Sequence, residues 1–263
     1  MIMIWFVYLL VFTGVNAVTP ECLQYGSSNG GVFNGHPGTG FGKRLAPVVS
    51  PGHDCSHNLS SWLWHESEDS RMRSLNSTFV RGVIDGTLHP SSFGQYRIQD
   101  AMFCYGLSES FKVASSKLTQ NSTLKAFLDH KTNSYRGYGD RILKTWLIHD
   151  KSAVSVGKEC QDYIDSHVRV SRDEDPIYTV IATIPCERLW PWLGIMLESL
   201  NHNYGVYADF AHNGFDPTST GYQKAEAIIN DAYANGQIDM RKALAIYYKS
   251  MEGEALFFNS VLP

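Results

Sequence analysis

Three side chains capable of chemistry, Cys186, Glu254 and Asp100, stand in stripes that are otherwise apolar. Cys186 opens a run continued by Leu189, Trp190, Leu193, Leu197 and Leu200 at three- and four-residue steps, so its thiol faces a core. Glu254 interrupts a second stripe, made by Met240, Ala243, Leu244, Tyr247, Met251 and Phe258. Asp100 interrupts a third, made by Phe93, Tyr96, Phe103, Cys104 and Leu107. A carboxyl group in apolar surroundings is costly unless hydrogen-bonded, and its raised pKa suits proton transfer near neutral pH. A thiol near such a group can serve as a nucleophile. Each residue also has a structural reading: the carboxyls as partners of buried tyrosines or backbone ends, the cysteine as a small core hydrophobe. Coincidence favours chemistry. A thiol, two carboxyls and flat rings, Tyr163 and Trp190 among them, occupy inward faces of different helices, as a cleft for a flat polar heterocycle would require.

Long helices must carry these groups. After Leu59, the residues Trp62, Leu63, Met72, Leu75 and Phe79 recur among charged ones in a helical rhythm, and no sustained strand-like alternation follows. His89-Pro90 marks a helix start, since Pro is well placed at the first helical position, and this helix holds Asp100. Asn133 to Asp140, with two glycines, reads as a loop before Ile142 to Ile148 resumes the rhythm. Asp175-Pro176 opens the long helix that carries Cys186. There is no internal repeat, no pair of cysteine doublets spaced for zinc, no glycine-rich phosphate loop and no nucleophile elbow. The expected fold is all-α, with the chemistry in the core and no metal.

The 263 residues, 43% hydrophobic, suffice for one domain with a sizeable core. Residues 1–17 read as a secretory leader: they are almost wholly apolar, end in Val-Asn-Ala, and are shorter than the roughly 20 residues of a spanning helix. Residues 18–58 read as a coil-rich arm punctuated by Asn-Gly, Gly-Gly and Pro-Gly pairs. Cys22 and Cys55 bracket it, and a bridge between them would tether a stretch too poor in apolar residues to bury itself. Residues 59–263 form the helical domain. Acceptor sequons at Asn58, Asn76 and Asn121 agree with a secreted glycoprotein that has no membrane partner after leader cleavage. Five cysteines leave at least one without an intramolecular partner in an oxidising compartment. A formal net charge of -4 without clustered Lys and Arg argues against a nucleic-acid partner.

Phe79 to Leu88 (FVRGVIDGTL), followed by Phe93 to Asp100 (FGQYRIQD), closely resembles the signature of the TenA family, in which an apolar helix, a D-G-T-L turn and a helix ending in Q-D follow one another. Ile184-Pro185-Cys186 with Trp190 is similar to that family's proline-cysteine motif, and Glu254 to Phe258 (EALFF) to its terminal glutamate-aromatic motif. The resemblance spans roughly Leu59 to Phe258 and implies the all-helical haem-oxygenase-like bundle, assembled as a homo-oligomer, tetramer or dimer. It implies that Cys186 is the nucleophile, Glu254 the acid/base, and Asp100 the group that hydrogen-bonds an aminopyrimidine. It further implies that Phe103, Tyr163 and Trp190 line the substrate pocket. The family's further pocket tyrosine falls near Ala211, so that either Phe210 or His212 substitutes or one contact is missing. Were Cys186 to stay reduced, Cys22 would pair with Cys55, and Cys104 with Cys160 on helices that the resemblance brings together.

The function this implies is thiaminase II-like hydrolysis of thiamin or a related aminopyrimidine, with no metal and no organic cofactor. A second reading is a non-catalytic secreted protein that keeps the pocket to bind thiamin or a related heterocycle. A third takes the fold's other chemistry, oxidation or haem binding, with His65 as the ligand.

Overall fold

The computed structural model describes residues 58–120, 122–200 and 202–260. Among them the chain forms α1 (Leu59–Glu66), α2 (Glu68–Leu75), α3 (Thr78–Ile84), α4 (Pro90–Ser116), α5 (Thr123–Thr145), α6 (Lys158–Asp173), α7 (Pro176–Glu198), α8 (Ala208–Gly214), α9 (Gln223–Ala234) and α10 (Met240–Phe258). No strand occurs among the described residues, which bears out the all-α expectation. The leader, residues 18–57 of the arm with Cys22 and Cys55, and Asn121 lie outside them.

Local chemistry sets the ends of the helices that matter for the site. Pro90 and Pro176 occupy the first positions of α4 and α7, where the missing N–H has no intrahelical partner to lose. His89 caps α4 by accepting from Ser91 N at 3.3 Å, and Asp175 caps α7 by accepting from Ile177 N at 3.0 Å. Asp239 does the same for α10, accepting from Lys242 N at 2.9 Å. Past α3, Gly86 takes φ +66°, a left-handed turn in which a β-carbon would lie 2.6 Å from the Asn203 carbonyl oxygen.

α4 packs along α5 and α6, and α10 lies against α6, α7 and α2, so the helices carrying Asp100, Tyr163, Cys186 and Glu254 surround one core. Its centre is aromatic: Phe79 lies 3.9 Å from Tyr96 and 5.7 Å from Phe258, centroid to centroid. Burying a side chain of this size contributes roughly 1.5–3 kcal/mol. No helix among the described residues is long and apolar enough to cross a membrane.

Two expectations are corrected here. Asn133 to Asp140 is not a loop but the middle of α5. Gly139 serves close packing rather than a turn: a β-carbon there would stand 3.1 Å from the Ala101 carbonyl oxygen and 3.3 Å from the Tyr105 ring. The roughly 1 kcal/mol that a mid-helix glycine costs is offset by that approach of α5 to α4. The Cys104–Cys160 bridge is likewise absent, both thiols being free. The Cys160 thiol donates to the Gln99 carbonyl at 3.4 Å, whereas Cys104 lines a cavity.

Candidate active site

A cavity of about 370 Å³ opens between α4, α5, α7 and the segment joining α8 to α9. Four of the six expected site residues line it: Asp100 and Phe103 from α4, Cys186 and Trp190 from α7. The last two are four residues apart and therefore share a helix face. Pro185 and Pro191 flank them inside α7, so the carbonyls of Ile181 and Glu187 lack the N–H that an uninterrupted helix would supply.

Glu254 and Tyr163 sit in a layer behind this wall instead of lining the cavity beside Cys186. Both are buried, and the Tyr163 hydroxyl donates to Glu254 Oε1 at 2.9 Å. The Cys186 thiol lies near enough to feel the charge of the same carboxyl. Burial raises Glu254 from 4.5 to about 7, against the opposing pull of the Tyr163 hydrogen bond. Burial and then the Glu254 charge push the Cys186 thiol well above its ordinary value. At rest the sulfur therefore keeps its proton, and Glu254 is a carboxyl that titrates near neutrality. Tyr163 is fixed on both faces. Its ring stacks on Phe103 at 4.4 Å, and α10 presses so close that a β-carbon on Gly253 would lie 2.5 Å from it.

At the cavity wall Asp100 accepts from Arg97 Nη1 at 2.8 Å, a pair largely withdrawn from water. Burial raises Asp100 to about 6, less than it would without the Arg97 charge. Arg97 in turn donates to the Tyr138 hydroxyl at 3.2 Å and lies 5.2 Å over the Phe210 ring. Asp100 thus has one oxygen committed to Arg97 and remains in contact with the cavity.

Of the alternatives near Ala211, neither Phe210 nor His212 lines the cavity. Phe210 packs edge-on against Phe93 at 5.0 Å, and His212 edge-on against Tyr204 at 5.5 Å. Asn213 and Gly214 reach the cavity instead, together with Tyr222. The opposite wall, Lys131, Tyr135 and Tyr138 of α5, was hidden by reading part of α5 as a loop; as helix, these residues form one stripe at four- and three-residue spacing. His65 is 79% exposed beside Glu66, on the surface and away from the cavity. No group of three or more His, Cys, Asp or Glu able to hold a metal occurs among the described residues.

The model of the TENA/THI-4/PQQC family matches residues 70–263, a segment that contains all six expected site residues. The chain belongs to this family. A relative of this TENA/THI-4/PQQC protein, the thiamine biosynthesis multifunctional protein ThiED of Corynebacterium efficiens, is 27% identical over 219 residues, covering 78% of the chain but only 28% of ThiED. Among solved structures, a TenA family transcription regulator from Silicibacter sp. TM1040 superposes with a TM-score of 0.64 at 17% identity, over 79% of this chain and 98% of that one. A putative TenA-like thiaminase from Sulfolobus solfataricus P2 gives 0.54 at 18% identity, over 76% and 95%. A domain with a heme oxygenase-like fold from Shewanella denitrificans gives 0.54 at 13% identity, over 78% and 91%. At these identities the likeness shows the fold, which is the haem-oxygenase-like bundle expected of the family.

Proposed function

We propose that this TENA/THI-4/PQQC protein is a thiaminase II-type hydrolase acting on thiamin or a related aminopyrimidine. The observation that carries the reading is the placement of Cys186 on the cavity wall with Glu254, near pKa 7 and held by Tyr163, directly behind it. Support also comes from the thiamine-related names of ThiED and of the Sulfolobus neighbour.

In the proposed reaction Asp100 orients the ring through its amino and ring-nitrogen groups, while Phe103 and Trp190 offer flat apolar walls. Glu254 takes the thiol proton as Cys186 sulfur bonds to the electron-poor ring. The bond to the leaving group then breaks, its electron pair departing with that group. Water attacks the carbon left behind and gives up a proton to solvent, the carbon–sulfur bond breaks with its electron pair returning to sulfur, and Glu254 returns the thiol proton to Cys186. Every step uses side chains and water.

The binding-protein reading keeps one specific support, the protonated resting state of Cys186, which leaves the nucleophile unformed until Glu254 acts. A product assay separates the two. Purified protein given excess thiamin should release more than one equivalent of pyrimidine product per chain; stoichiometric binding without product would sink the hydrolase and support the binder. We further propose a secreted homo-oligomer, dimer or tetramer, to be checked by leader processing on expression and by light scattering in solution.

A further inference from the structure

The cavity carries a second polar group that the proposed reaction does not use. Along α5, Lys131 and Tyr138 are seven residues apart, about 10 Å at 1.5 Å per residue. Tyr138 marks the Asp100 end, since both bond Arg97. At the other end Glu187 accepts from Lys131 Nζ and, at 3.0 Å, from the Tyr135 hydroxyl. Both donors use one oxygen, Oε1. The other, Oε2, is buried and has no partner, although the Glu187 side chain is only 10% exposed. A buried carboxylate oxygen left bare is costly, so a turn of the Glu187 side chain that brings it to a donor in the cavity is favoured. Lys131 pairs with Glu187 and offsets its charge.

We propose that Lys131, Tyr135 and Glu187 form a second subsite that takes a hydroxyl or amine donor on the far end of a two-ring substrate, with Glu187 Oε2 as the acceptor. The subsite deepens the reading above, in which the Asp100 end holds a pyrimidine, and it assigns the tail of the substrate to the Lys131 end. It also sets specificity. A free hydroxyl donates to Oε2, whereas a phosphate ester brings between one and two negative charges against a carboxylate whose one cation is already engaged. The preferred substrate is therefore the unphosphorylated form.

The two ends can be tested separately on the full chain by ligand-observed NMR, using hydroxymethyl-aminopyrimidine, hydroxyethylthiazole and its phosphate ester as probes. The wild-type protein should bind hydroxyethylthiazole at least about tenfold more tightly than the phosphate ester. Glu187→Gln should weaken hydroxyethylthiazole by about tenfold or more and leave the pyrimidine unchanged, because an amide that keeps its oxygen on Lys131 and Tyr135 presents a donor to a donor. Asp100→Asn should do the reverse. Equal wild-type affinity for the alcohol and its phosphate overturns the subsite, and that comparison needs no variant to fold. Equal weakening of both fragments by Glu187→Gln overturns it as well. A wild-type protein that does not bind the pyrimidine, with the thiazole behaviour intact, refutes the proposed reaction and supports the subsite.

Discussion

Glu254→Gln should stabilise the fold while removing the proton carrier, and the size of the gain should depend on pH. Glu254 is 2% exposed, and its carboxyl is raised from 4.5 to about 7, burial being the largest cause. In the unfolded chain it titrates near its ordinary value. Between those two pKa values the folded protein holds a proton that the unfolded chain has already released, so the raised carboxyl favours folding fully below 4.5 and progressively less as pH rises through about 7. The rise costs the ionised folded form about 3 kcal/mol. Glutamine carries no charge to desolvate and keeps an oxygen for the Tyr163 hydroxyl. The variant and the wild type should thus differ little below pH 4.5, and the variant should lead by about 3 kcal/mol above pH 7. Asp100, raised to about 6, bends the wild-type curve in the same direction but cancels in the difference. Urea denaturation at one pH below the window and one above it measures the gap. A difference of equal size at both would refute the assignment of Glu254 as a carboxyl that ionises at a cost inside the folded core.

Cys186→Ser should abolish turnover while sparing ligand affinity, since a hydroxyl is a far weaker nucleophile than a thiolate; wild-type product release by the variant would remove the nucleophile assignment. Asp100→Asn should weaken pyrimidine binding more than it lowers the melting temperature, and unchanged affinity with lost stability would mark Asp100 as structural. Tyr163→Phe removes a donor that holds Glu254 down, so the acidic limb of kcat/KM should move up by roughly one to two pH units. An unmoved limb would show that Glu254 does not govern it.

The helical stripes were readable because burial imposes a 3.6-residue period on one face, and α10 spans Met240–Phe258 as its stripe suggested. The starts of α4 and α7 were readable because proline at the first helical position has a local cause. Gly139 was not, because its reason lies across the helix interface, in the Ala101 carbonyl and the Tyr105 ring. Mistaking that helix for a loop also concealed Lys131, Tyr135 and Tyr138, whose common face exists only if the chain between them is helical. The motif residues Asp100, Phe103, Cys186 and Trp190 were found, but the depth at which Glu254 and Tyr163 lie was not, since periodicity distinguishes inward from outward and says nothing of how far behind a wall a side chain sits. Glu187 escaped for a related reason: it stands one residue past Cys186, off the apolar stripe, and is buried only by what α5 brings over it.

Gly253, immediately before Glu254, leaves no room for even a methyl group against the Tyr163 ring. The tyrosine and the glycine are therefore a lock and its clearance, written 90 positions apart in the chain. A larger residue at this one place would force the Tyr163 ring or α10 to shift. A single position thus sets how near α10 can lie to the tyrosine that holds the glutamate.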